Sequence, residues 1–119
     1  FVEEELSDHF SRLITLVKFG ESNGPEFKHR TEDLSVIVSD FSREWKSRIE
    51  VIHGDVVKSF SNFRNGMEIL KQILTQMLLY YNRLVTLVEK HHPTAPFRRS
   101  LIPNQVILYE IKKYSKDFQ

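Results

Sequence analysis

Residues 59–90, SFSNFRNGMEILKQILTQMLLYYNRLVTLVEK, decide the fold. The stretch predicts a turn followed by one long helix that is apolar on most of its circumference. Asn65 and Glu68, three apart and just ahead of the apolar run, have the spacing of a capping box, with Asn65 accepting a first-turn N–H and Glu68 reaching back to the cap. Met67, Leu70, Leu74, Met77, Tyr81, Leu84 and Val88 then follow the three-and-four spacing of one helix face. Ile69, Ile73, Tyr80, Val85 and Leu87 widen that face beyond a stripe, which a helix tolerates only when others wrap it on several sides. The longest unbroken apolar run, Met77 to Tyr81, falls far short of the ~20 residues that cross a bilayer. This is a core helix, the centre of a bundle.

Outward from it, residues 31–60 predict a second long helix. Thr31 caps it, Glu32 and Asp33 favour its positive end, and Leu34, Ile37, Val38, Phe41, Trp45, Ile49, Ile52, Val56 and Phe60 hold one register. Gly54 is the place for a bend. Residues 2–18 predict an amphipathic helix through Leu6, Phe10, Leu13, Ile14 and Val17, with Glu3, Glu4 and Glu5 as helix-end charges. Segment 20–30, with two glycines and a proline, reads as a loop. On the other side, 91–103 cannot continue the central helix because its prolines remove donors and restrict their neighbours. A last helix over roughly 103–116 starts at Pro103 and presents Val106, Ile107, Tyr109 or Glu110, Ile111 and Tyr114. The expectation is all-α: an up-and-down, rod-like bundle of about four helices, a single domain over 1–119.

Composition agrees. The chain has 119 residues, 40% hydrophobic and 28% charged, which suits a globular chain with one core rather than disorder. Cysteine is absent, so disulfides and thiolate chemistry are excluded. A net charge of +1 leaves no nucleic-acid footprint. From residue 91 onward, Arg98, Arg99, Lys112, Lys113 and Lys116 outnumber Glu110 and Asp117, a mildly basic end. The opening at Phe1, inside a helical pattern, reads as a fragment of a longer protein.

No reactive constellation emerges. His91 and His92 are adjacent, so their side chains point apart and make a poor metal pair. His53 near Asp55 reads as a surface histidine. His9 with Asp8 and Ser7 or Ser11 lacks the reach of a triad, because neighbours on a helix splay. Gly20 and Gly24 lack the Lys-Ser/Thr that follows a phosphate loop. The basic and aromatic residues at 97–99 and 109–114 have the spacing of solvated faces beside a core. Catalytic, cofactor and metal residues are therefore not expected.

DVVKSFSNFRNGMEILKQILTQMLLYYNRL, which contains the central helix, resembles the C-terminal region of the vacuolar protein sorting-associated protein 52 family. So do the ending ILYEIKKYSKDF, with Tyr109, Glu110, Ile111, Lys112, Lys113, Tyr114 and Phe118, and the upstream FSREWKSRIEVI with Trp45. The likeness covers about residues 36–119, with loop 91–103 not among the segments that carry it. The resemblance implies a non-enzymatic subunit of the Golgi-associated retrograde protein complex and of its endosomal sister. Such multisubunit tethers, built of helical rods, act in endosome-to-Golgi transport. Its implied partners are other tether subunits, Rab-type small GTPases and SNAREs. Its implied place is the cytosolic face of trans-Golgi network and endosomal membranes.

On that reading Trp45, Phe60, Phe63, Tyr80, Tyr81 and Leu84 are core, while Asn62, Asn65 and Glu68 belong to the turn and cap. Exposed Arg64, Arg83, Lys112, Lys113 and Lys116 are the candidates for contacting an acidic partner. The competing readings are a peripheral module that binds anionic lipid through the basic last helix, and a homo-oligomeric structural bundle.

Overall fold

The computed structural model describes the backbone of residues 1–116 and the side chains of residues 1–114. The chain runs as α1 (Val2–Ser22), a single turn α2 (Gly24–Phe27), α3 (Thr31–Ser59), α4 (Phe63–His91), a 3₁₀ turn (Pro96–Ser100) and α5 (Asn104–Lys116). The four long helices make an up-and-down bundle of 46 × 24 × 18 Å. Residues 60–62 fold α3 back against α4. α1 lies parallel to α4, with the Phe1 ring against Phe60 at one end and Glu21 bonded to Arg83 at the other.

The core follows the apolar registers. Leu34, Ile49, Ile52 and Val56 of α3 meet Leu70, Ile73, Leu74, Met77 and Leu84 of α4, and Val17 of α1, each essentially excluded from solvent. Trp45 and Tyr81 are buried as expected, and the Tyr81 ring stacks on Phe41 with centroids 4.5 Å apart. Phe60 is half-buried. Phe63 is not a core residue: it is 57% exposed. It sits in the first turn of α4, where the helix has not yet entered the bundle.

The cap is also displaced from its expected place. α4 begins three residues earlier than the Asn65–Glu68 spacing suggests, and the side chain of Asn62 accepts the Asn65 N–H at 3.0 Å. Asn65 is therefore the residue whose amide is capped, and Glu68 is an exposed residue of the second turn. Two asparagines at a three-residue spacing offer equivalent caps. The earlier one wins because it starts the hydrogen-bond ladder sooner, with the Gly66 N–H already bonded to the Asn62 carbonyl.

Bends and turns also differ from expectation. α3 passes Gly54 without a break, whereas α1 kinks at Phe10, whose backbone (φ −134°, ψ 25°) leaves the helical region. Neither Pro nor Gly marks the kink. It turns the Phe10 ring into the core beside Phe41, 6.0 Å away. Within the expected loop 20–30, α2 drives Phe27 fully into the core beneath Gly20. A side chain at Gly20 would lie 2.5 Å from the Phe27 ring and 2.9 Å from Leu87, so glycine is what admits the plug.

The segment after α4 is a strap over the core. Phe97 is buried in the 3₁₀ turn, and Leu101 and Ile102 pack partly against the core. The Tyr81 hydroxyl donates to the Ile102 carbonyl at 2.8 Å and accepts its N–H at 2.7 Å, which fixes the entry to α5. Burial pushes the Tyr81 phenol up to about 12. α5 then runs back along α4 with Ile107 buried, until the Tyr114 ring reaches His53 at 5.2 Å. His53 is thus half-buried rather than a surface residue.

Candidate interaction surface

The five basic residues singled out from the sequence do not form one patch. Arg64 lies in the first turn of α4. Arg83 lies nineteen residues further along the same helix, ~28 Å away at 1.5 Å per residue. Arg83 is also committed within the fold: its Nε and Nη2 bind the Glu21 carboxylate at 2.8 and 2.5 Å, and its guanidinium sits 4.7 Å over the Tyr80 ring. This bidentate contact holds Glu21 below the usual carboxylate range and pins the end of α1 to α4. Arg83 is a helix clamp, not a free contact for a partner.

Lys112 is exposed on α5. Lys113 reaches Glu110 at 3.3 Å and lies 5.0 Å from the Tyr109 ring centre. The side chain of Lys116 and the whole of Phe118 fall outside the described residues. Because Tyr114 meets His53 near the end of α3, the Lys112–Lys113 pair belongs to the same half of the bundle as Arg64.

Exposed apolar side chains gather at that turn end. Phe63 and Val57, on either side of the turn, are 57% and 56% exposed, and Phe60 lies half-buried between them in sequence. On α5, Val106, Tyr109 and Lys113 follow helical spacing, and Val106 and Tyr109 are 42% and 66% exposed. Sequence periodicity missed Phe63 because the misplaced cap put it outside the helix, among residues read as a turn.

Two polar groupings lie between α1 and α3. Beside the Phe10 kink, a cleft of about 310 Å³ is rimmed by Arg12, Asp40, Glu44 and Arg48. Arg12 and Arg43 both pair with Asp40, and Arg48 pairs with Glu44, so these charges are mutually satisfied. The second grouping departs from the sequence reading. Glu5, read as a helix-end charge, is only 9% exposed. Its Oε2 stands 3.6 Å from His9 Nε2, which in turn is 3.8 Å from Oδ2 of Asp55. Burial first, then the adjoining Asp55 and Asp8 carboxyls, push the Glu5 carboxyl up to about 7. Glu5 Oε2 and His9 Nδ1 are buried without a hydrogen-bond partner.

With these surfaces in view, the chain aligns over 99% of its length with two Arabidopsis thaliana proteins. It is 44% identical to vacuolar protein sorting-associated protein 52 A and 39% identical to 52 B. The human vacuolar protein sorting-associated protein 52 homolog is 35% identical over the same share. The chain belongs to the vacuolar protein sorting-associated protein 52 family. The match takes in α1, α2 and the loop 91–103 as well as the segments that carry the resemblance. The chain spans about 17% of the length of each of these relatives. No protein-family model and no solved structure matches it. Within the family region, helix registers and the Asn62 cap account for the bundle, and among the described residues Phe63, Val57, Val106 and Tyr109 stay exposed. Among the described residues, no helix is long and apolar enough to cross a membrane.

Proposed function

We propose that this region is a single helical-bundle domain serving as a non-enzymatic protein-interaction module of a vesicle-tethering complex. Its path is endosome-to-Golgi retrograde transport, on the cytosolic face of trans-Golgi network and endosomal membranes. Family membership supports the pathway, since the relatives are named for vacuolar protein sorting. The partners are other subunits of the retrograde tether, with a Rab-type GTPase or a SNARE as further candidates.

The observation that carries the reading is the turn end. Phe63 and Val57 are exposed there next to Arg64, and aromatic residues and arginine are enriched where partners bury a surface. Truncating such an anchor typically costs ~2 kcal/mol or more of binding. The test is recovery of tether subunits from cell lysate on the immobilised chain, compared with Phe63→Ala and Arg64→Glu. Loss of those subunits with an unchanged melting midpoint supports the turn end. Equal recovery by both variants removes it as the contact surface.

The outer face of α5 favours one second reading, a membrane-surface module that binds anionic lipid. Val106, Tyr109 and Lys113 share that face, an apolar and basic combination suited to a lipid–water interface. Co-sedimentation with phosphatidylserine vesicles at low salt, lost on Lys112→Glu/Lys113→Glu, would support it. Absence of sedimentation at low salt rejects it.

A further inference from the structure

We propose that Glu5, His9 and Asp55 form a binding site for a divalent cation of the zinc class, which ties the first segment of α1 to α3. The site stands apart from the tethering reading and does not depend on it.

Placement comes first. Glu5 and His9 are four residues apart in the part of α1 that precedes the Phe10 kink, so both side chains leave the helix on one face. Asp55 is brought to that face by the antiparallel α3. The potential ligand atoms, an imidazole nitrogen and a carboxylate oxygen from each acid, all lie within 4.8 Å of one another. Two of the separations are 3.6 and 3.8 Å. Zinc bonds of about 2.0–2.2 Å to nitrogen and oxygen place tetrahedral ligands ~3.3–3.5 Å apart, so small rotamer adjustments close the set.

Chemistry comes second. A surface cluster of acids needs no ion, but Glu5 is only 9% exposed, its Oε2 has no donor within hydrogen-bond distance, and its carboxyl lies against that of Asp55. A buried carboxylate in that state costs free energy until a proton or a cation neutralises it. Two carboxylates and one neutral imidazole balance a doubly charged ion. The imidazole favours zinc-like ions over magnesium or calcium, which take all-oxygen sets. Three protein ligands leave a fourth position for water or for a side chain from another protein.

The test is calorimetric titration of ZnCl2 into the metal-stripped 119-residue chain, paired with thermal melts with and without Zn²⁺. The expected result is one ion per chain and a melting midpoint that climbs with Zn²⁺ concentration. Glu5→Gln and Asp55→Asn, which keep side-chain shape, and His9→Gln should each weaken binding on the order of tenfold or more. The double variant His91→Gln/His92→Gln should bind as the parent does. If His9→Gln fails to fold by circular dichroism, the two isosteric variants still decide the matter. Absence of binding by the parent overturns the site. So does binding that survives Glu5→Gln and Asp55→Asn, or that is lost only in the His91/His92 variant.

Discussion

The Asn62 side chain accepts the Asn65 N–H at 3.0 Å, so one amide sets where the central helix begins. Asn62→Ala should destabilise the chain by about 1 kcal/mol, as cap losses do, while Asn65→Ala should stay within about 0.5 kcal/mol of the parent. Urea melts of the two variants check this; equal losses would return the cap to Asn65. Two helical glycines give a sharper contrast. Nothing lies within 4 Å of a side chain added at Gly54, so Gly54→Ala gains helix propensity and should stabilise by roughly 0.5–1 kcal/mol. At Gly20 the same propensity gain meets the buried Phe27 ring at 2.5 Å, and Phe27 has no solvent to retreat into. Overpacking costs typically 1–3 kcal/mol, so Gly20→Ala should destabilise on balance. Thermal melts giving both changes the same sign would refute that packing account.

Among the described residues, α5 is held by the buried Ile107, partly buried neighbours, the Tyr114 ring against His53, and the Tyr81 hydroxyl on Ile102 at its entry. Tyr81→Phe keeps the ring stacked on Phe41 but strips both bonds from the Ile102 backbone, at a cost of ~1–3 kcal/mol. Amide exchange should accelerate over residues 102–114 more than over α3. Uniform acceleration along the chain would mean that α5 opens only with the whole bundle. Much of this element plan was legible in the sequence. Registers such as Leu34–Ile37–Phe41–Trp45 on α3 and Leu70–Leu74–Met77–Tyr81 on α4 have one partner face each, and local spacing reports that directly. The kink at Phe10 and the plug at Phe27 were not legible, because both come from contacts with residues distant in sequence, Phe41 for the first and Leu87 beneath Gly20 for the second. The same holds for the surface: exposure of Phe63 depends on which asparagine caps, and commitment of Arg83 depends on Glu21.

At the scale of the molecule, the candidate interaction surface was readable only as a set of basic residues. Charge type is written in the sequence, but convergence is not. Arg64 and Lys112–Lys113 share one half of the bundle, while Arg83 closes the other. The arrangement of α1 has a further consequence. It packs parallel to α4, and the residues that clamp the two together, Glu21 and Arg83, are 62 positions apart. The hairpin of α3 and α4 can close locally across its tight turn, whereas α1 must wait for most of the chain to exist. At ~5–20 residues per second of synthesis, the apolar face of α1 is made roughly 3–12 seconds before its partner. Through that interval Leu6, Phe10, Leu13, Leu16 and Val17 lack the α4 face that closes the bundle over them. The apolar face of α1 is thus the part of this bundle that waits longest for its cover.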